Sequence, residues 1–126
     1  MFRPLLLAFY ALAVLTHLLV ILRVIPWEWV NGGRSESYTA QAAQSGMSAV
    51  VLVVLFAFVW RIVTRARASR LQWWLLLGIV VVLALGTVLQ LLGTRFEREF
   101  LSFVLLTGVV GHALLAADLR PRTAGR

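Results

Sequence analysis

The sequence predicts an all-α membrane protein with four transmembrane helices in an up-down antiparallel bundle. Three observations carry this expectation. First, four apolar stretches run from about Leu5 to Ile25, Gly46 to Val63, Leu71 to Gly93 and Phe100 to Ala117. An α-helix rises about 1.5 Å per residue, so about 20 residues cross a hydrocarbon core of roughly 30 Å, and each stretch is near that length. Second, the 126 residues are 61% hydrophobic with a mean hydropathy of +0.91, too apolar for a soluble chain of this size. Third, all 12 basic side chains are arginines, and they fall mostly on one side of the four stretches.

The first stretch opens behind Arg3 like a secretory signal, but it stays apolar as far as Arg23. Signal cores run only about 7 to 15 residues before a polar cleavage region, so a retained first helix is expected. Pro26 lacks the N–H that would continue the helix and biases its predecessor away from helical geometry, which predicts a helix end there. Residues 26–45 then form an outer loop. Trp27 and Trp29 suit the headgroup level as interfacial anchors, and Asn31-Gly32-Gly33 tolerates the positive φ of a sharp return. From Ser37 the run Tyr38 to Gln44 has neither Gly nor Pro, so the second helix is expected to start near residue 37, a turn or two outside the bilayer. Gly46, Ser48 and Ala49 offer small surfaces for close packing.

The short arginine-bearing second loop predicts that the second and third helices form an antiparallel hairpin, and Thr94 to Glu99 predicts the same for the third and fourth. Trp60, Trp73 and Trp74 flank the second loop as further interfacial anchors. Gly108, Gly111, Ala113 and Ala117 make the fourth helix thin, as in surfaces where helices approach closely. Residues 1–126 are expected to form a single four-helix domain without internal repeats.

Positive charge is retained on the cytoplasmic side during insertion. Arg3, Arg61, Arg65, Arg67, Arg70, Arg120, Arg122 and Arg126 belong to the N-terminal segment, second loop and C-terminal segment, which predicts that both termini are cytoplasmic. On the opposite side Arg23, Arg34, Arg95 and Arg98 are offset by Glu28, Glu36, Glu97 and Glu99, so the formal charge of +7 comes from the cytoplasmic side. The basic patch of Arg61, Arg65, Arg67 and Arg70 is expected to meet anionic lipid headgroups of the bilayer, at about 1 kcal/mol per arginine. No basic groove interleaved with aromatics is present, so nucleic acid is not an expected partner. The exclusive use of arginine with an Ala, Val and Leu load points to a GC-rich bacterial genome and a bacterial inner membrane.

Cysteine is absent, which excludes disulfides, thiol redox chemistry and thiolate metal sites. None of the five acids lies in the apolar part of a span, and no nucleophile is paired with a base. Neither catalysis, a catalytic residue, a metal nor a cofactor is therefore expected. The intramembrane polar candidates are His17, Thr87 and His112. The two histidines sit about 12 residues into antiparallel spans, within roughly 6 Å of each other in depth. Two readings stay open: a facing pair that relays a proton, or two histidines that each donate to a helix carbonyl or a threonine. Two histidines without a carboxylate make a poor metal site.

Thr87, Gln90 and Thr94 share a helical stripe at the outer end of the third helix. With Arg23, Glu28, Arg34, Glu36, Arg95 and Glu97 they form a candidate outer polar cap. Arg34, after the Gly-Gly turn, either presents its guanidinium and open backbone N–H groups to an anion or pairs with Glu97 or Glu28 and pins the loop over the bundle.

His17, Ile25-Pro26-Trp27 and Gly32-Gly33-Arg34-Ser35-Glu36-Ser37, with Thr87, Gln90 and Phe96-Glu97 further on, resemble a family of small four-helix bacterial integral membrane proteins with an Ile-Pro-(Trp/Tyr)…Gly-Gly-Arg outer-loop motif. The resemblance implies a four-helix fold and gives weight to the outer-loop residues, but implies no activity. Gln90 stands where that family has an asparagine, and Gly86 where it has a larger polar residue. Two functional readings follow. The first is a non-enzymatic structural or accessory protein acting by helix packing, as a homo-oligomer or within a larger membrane complex. The second is a small carrier or binding module for an anionic solute at the outer cap, proton-coupled through His17 and His112.

Overall fold

A computed structural model describes residues 1–120; Arg122 and Arg126 lie outside the described residues. Its regular structure is helical: α1 (Phe2–Ile21), α2 (Tyr38–Arg65), α3 (Arg70–Leu91) and α4 (Ser102–Asp118), the last continued backwards by a turn of π-helix, Glu97–Leu101. With that turn included, all four are long and apolar enough to cross a membrane.

Each helix begins and ends for a local reason. Pro4 sits in the first turn of α1, where its missing N–H would have had no intrahelical partner. The helix does not run to Ile25 ahead of Pro26. It stops at Ile21 because Arg23 adopts a left-handed conformation (φ 59°), with Arg23 N–H bonded to Val20 O at 3.1 Å and Val24 N–H to Leu19 O at 2.9 Å. That pair of bonds is a Schellman cap. Its usual glycine is replaced by an arginine whose guanidinium lies 4.0 Å over the Tyr38 ring, while the Tyr38 hydroxyl donates to Ile21 O. Ser37 caps α2 by accepting from Ala40 N–H at 3.2 Å, and Ala66 ends it in the left-handed region at φ 49°. Ser69 and Gln72 form a reciprocal capping box at the start of α3.

Helix α1 packs against α2 and α4, and α4 packs against α3. The contacts run in antiparallel register. Phe56 meets Tyr10 at 5.3 Å between ring centroids while Tyr38 reaches Ile21 at the other end of the same pair. The Trp73 indole N–H donates to Ala116 O at 2.8 Å, and Leu105 lies against Gly86. The second connection is short, yet α2 and α3 do not form the closely packed hairpin that its length predicts, because each is packed on a different member of the central α1–α4 pair.

The interior is graded along the bundle axis. At the arginine-rich end, Leu6, Phe9, Val59, Ile62, Val63, Leu76 and Leu115 form the apolar core. At the opposite end, the loop end, which carries the first and third connections, the polar Gln41, Ser45, Glu97 and Ser102 are buried beside Val20 and Val30. The outward faces are apolar, most of all on α3, where Val82 is 67% and Leu85 61% exposed. Such a surface is a liability in water and matches lipid.

The closest approach is α1 on α4. A Cβ added at Gly108 would lie 2.7 Å from the Phe9 ring, which is itself 1% exposed. Gly108→Ala is therefore expected to lower unfolding stability in detergent micelles by about 1–3 kcal/mol, as overpacking does; an unchanged transition would contradict this packing.

Candidate functional site

The loop end is organised by Glu97. Thr94-Arg95-Phe96-Glu97 is a capping box: the Thr94 hydroxyl accepts from Glu97 N–H at 3.3 Å, and the Glu97 carboxylate accepts from Thr94 N–H at 2.7 Å. The same carboxylate accepts from Gly32 N–H, 2.9 Å to Oε1 and 3.0 Å to Oε2. Asn31, Gly32 and Gly33 all have positive φ (54°, 63° and 68°), which turns the Gly32 N–H toward α4. The Thr94 hydroxyl donates to Trp29 O, giving a second tie between the first and third connections. Glu97 is 3% exposed.

This arrangement revises the expected role of Arg34. The Gly32 N–H holds Glu97, while the Gly33 and Arg34 N–H groups donate to Val30 O and Asn31 O at 3.0 and 3.1 Å. The backbone donors proposed for an external anion are thus engaged within the protein. Arg34 is exposed and folds over Gly32, with its Nε 2.8 Å from where a Cβ there would lie. It forms no ion pair with Glu97 or Glu28; among the described residues the ion pair is Arg95–Glu99, 2.9 Å apart and largely exposed, which contributes little. Backbone N–H of the loop, rather than a guanidinium, fastens it.

A second polar set joins the loop to α2. Asn31 Nδ2 donates to Ser35 Oγ at 3.2 Å and to Gln44 Oε1 at 3.1 Å, the Ser35 hydroxyl donates to Gln41, and Gln41 Nε2 donates to Ser45 Oγ at 3.1 Å. Gln41 and Ser45 are buried whereas Asn31 and Gln44 are exposed, so this network runs from the surface into the bundle.

The two histidines do not face each other. His112 Nδ1 donates to Gly108 O at 2.7 Å; a carbonyl only accepts, so Nε2 carries the lone pair and accepts the Tyr10 hydroxyl at 2.9 Å. Tyr10 therefore occupies the level of His112 on α1. His17 is two turns further along, about 10 Å away in depth, and lines a cleft. Thr87 returns its hydroxyl to Leu83 O at 2.8 Å.

That cleft fills the space left where α2 and α3 diverge. It has a volume of about 410 Å³, with α1 and α4 as its floor and α2 and α3 as its walls. Near the loop end it is lined by Gln41, Gln44, Gln90 and Glu97, and deeper by Phe9, Leu52, Leu83 and Leu105. No arginine lines it. Gln90 Oε1 is buried with no hydrogen-bond partner.

The remaining sequence candidates are scattered. Glu28 and Glu36 are exposed, and Arg23 is held on Tyr38. Trp29 packs on Phe96 at 5.7 Å and Trp60 on Phe56 at 5.6 Å, while Trp27 is half-buried in the loop. Trp73 is a helix-packing residue through its bond to Ala116, whereas Trp74 is 56% exposed. Arg61, Arg65, Arg67 and Arg70 are all exposed. Among the described residues no three His, Asp or Glu side chains converge. Sequence reasoning passed over Tyr10, Gln41, Gln44 and Ser45. Gln41, Gln44, Ser45 and Ser48 recur at three- and four-residue spacing, the signal that marks one polar face of α2.

Four apolar helices around a partly polar cleft define the protein at the level of fold. Comparisons with protein-family models, curated proteins and solved structures find no match to the chain.

Glu97→Ala leaves the Gly32 and Thr94 N–H groups without their acceptor. It is expected to cost about 1.5–3 kcal/mol and to speed amide exchange at Gly32; unchanged protection there would rule out the clamp. Tyr10→Phe leaves a buried imidazole lone pair unmatched and is expected to cost about 1–3 kcal/mol in denaturant titrations, against a negligible change if the hydroxyl were idle.

Proposed function

We propose that this is a multi-pass protein of the bacterial inner membrane, with both termini cytoplasmic, acting without catalysis as a structural or accessory component through helix packing. One observation carries the reading. The interior groups that chemistry would recruit, Glu97 and His112, are instead bonded so as to hold separate segments together: Glu97 to Gly32 and Thr94, His112 to Tyr10.

The membrane assignment is supported by the exposed apolar faces and the orientation by the arginines. Arg3, Arg61, Arg65, Arg67, Arg70 and Arg120 are exposed at one end, free to meet anionic headgroups. Helix α2, with 28 residues, is about 42 Å long, more than a hydrocarbon core of roughly 30 Å requires, so its polar first turns stand in the headgroup region with Trp27 and Trp29. The exposed face of α3 is the surface on which lipid, a second copy or a larger complex packs.

Single cysteines introduced at Ser35 and Ser69 test the orientation in intact cells. An impermeant thiol reagent is expected to label the Ser35 variant only; labelling of Ser69 instead would reverse the topology. Crosslinking and purification in mild detergent test the accessory role, which predicts a stable homo-oligomer or co-purifying membrane partner. A monomer that retains no partner would count against it.

A further inference from the structure

Polar side chains within the helices mostly bond back to their own helix. The hydroxyls of Thr16, Thr87, Ser102 and Thr107 donate to the carbonyl four residues earlier, and His112 does so through Nδ1. His17 and Ser48 do not. Neither has a hydrogen-bond partner among the described residues, where the buried side-chain atom left without one is Gln90 Oε1 alone. The His17 ring nitrogens and the Ser48 hydroxyl are therefore not sealed in the packing; they open onto the cleft between α2 and α3 that both residues line. They stand at comparable depth. Helices α1 and α2 are antiparallel, with Tyr38 on Ile21 at one level and Phe56 on Tyr10 at another, and both residues lie between these contacts. His17 precedes the end of α1 at Ile21 by about 6 Å of helix.

We propose that this cleft binds an uncharged amphiphile through a hydroxyl head at His17 and Ser48, with its hydrocarbon along Leu52, Leu83 and Leu105. A neutral imidazole presents one N–H and one lone pair, and a serine hydroxyl both donates and accepts. A hydroxyl head also does both, so it answers the two side chains together. An ether head only accepts and leaves the imidazole lone pair unmatched, while an ammonium only donates and leaves the N–H unmatched. A charged head finds no counter-charge. No arginine lines the cleft, and the Glu97 carboxylate is already matched by the N–H groups of Gly32 and Thr94. Deeper in the cleft the lining of Phe9, Leu52, Leu83 and Leu105 offers water no partner and a hydrocarbon chain continuous contact. Met47 and Val51, 69% and 49% exposed, stand at its rim on the outer side of the bundle, so entry is from the surrounding lipid. The volume of about 410 Å³ lies within the range of about 300–1,000 Å³ of small-molecule sites. The inference rests on the membrane reading but not on the direction of insertion or on a packing partner. Its failure therefore leaves the cysteine-labelling and co-purification results intact.

Photolabelling of the full chain in nanodiscs of phosphatidylcholine, a lipid without a hydroxyl group, tests it. A long-chain primary alcohol with a diazirine in its tail is expected to label Leu52, Leu83 or Leu105 saturably, and excess dodecanol should abolish that labelling. Dodecyl methyl ether and dodecylammonium should compete about tenfold more weakly than dodecanol, and dodecyl sulfate not at all. His17→Phe and Ser48→Ala, each with the Gly32 amide still protected from exchange, should each weaken half-saturation by about tenfold. Dioleoylglycerol separates two sources of the same head chemistry. Competition by it assigns the site to a two-chain lipid alcohol, whereas undiminished labelling assigns it to a single-chain one. Labelling that does not saturate, equal competition by the methyl ether, or unchanged half-saturation in both folded variants would overturn the proposal and leave a hydrated cleft.

Discussion

The loop end depends on the carboxylate of Glu97. It accepts from Thr94 in the connection between α3 and α4 and from Gly32 in the connection between α1 and α2, so a single side chain fastens both crossings. Burying a carboxylate is costly, and here backbone N–H groups offset the loss of water. The surrounding sequence is shaped by this requirement. A Cβ at Gly93 would lie 2.1 Å from Glu97 Oε2, and only residues tolerant of positive φ can aim the Gly32 N–H at the carboxylate. The Gly-Gly-Arg motif is thus explained by its glycines, with the arginine folded over the outside.

Fastening the crossings at one end has a consequence for the middle. The central pair is α1 and α4, in contact closely enough that Gly108 has no space for a methyl group. Helices α2 and α3 flank that pair, joined at the arginine end by their short connection and held at the loop end through Asn31–Gln44 and the Glu97 clamp. Between these two ends Met47, Val51 and Leu52 of α2 and Leu83 of α3 line the cleft without closing it. A cleft is the geometric outcome of two fixed ends and a centre occupied by other helices.

The sequence made the helical elements legible because hydrophobic length is a strong, local signal; the four apolar stretches correspond to four helices long and apolar enough to span. The start signal at Ser37 was local too, whereas the capping-box pattern Thr94-x-x-Glu97, which marks the carboxylate that organises the loop end, was present in the sequence but passed over. What the sequence concealed was pairing over distance. Pro26 drew attention away from Arg23, because a left-handed arginine is unfavourable until Tyr38 arrives to hold it. Tyr10 reads as one more aromatic in an apolar run, and its hydroxyl acquires meaning only opposite His112, 102 positions later. The divergence of α2 and α3 was hidden for the same reason, since loop length governs which helices can pack and the central pair decides which do.

The charge balance of the loop end looks different once burial is included. By sequence, Arg23, Arg34, Arg95 and Arg98 cancel Glu28, Glu36, Glu97 and Glu99. In the structure Glu97 is withdrawn into the interior, so four exposed arginines face three exposed glutamates and the loop-end surface carries one positive charge in excess. The orientation expected from the sequence does not depend on this balance, because it rests on the number of arginines at each end and acidic residues contribute little to it. The local electrostatics do not survive unchanged. A face that sums to zero is a mildly positive rim around a negative interior, and a net-charge count cannot distinguish the two. Attention therefore passes from Arg34, the most conspicuous charge of the motif, to the carboxylate beneath it.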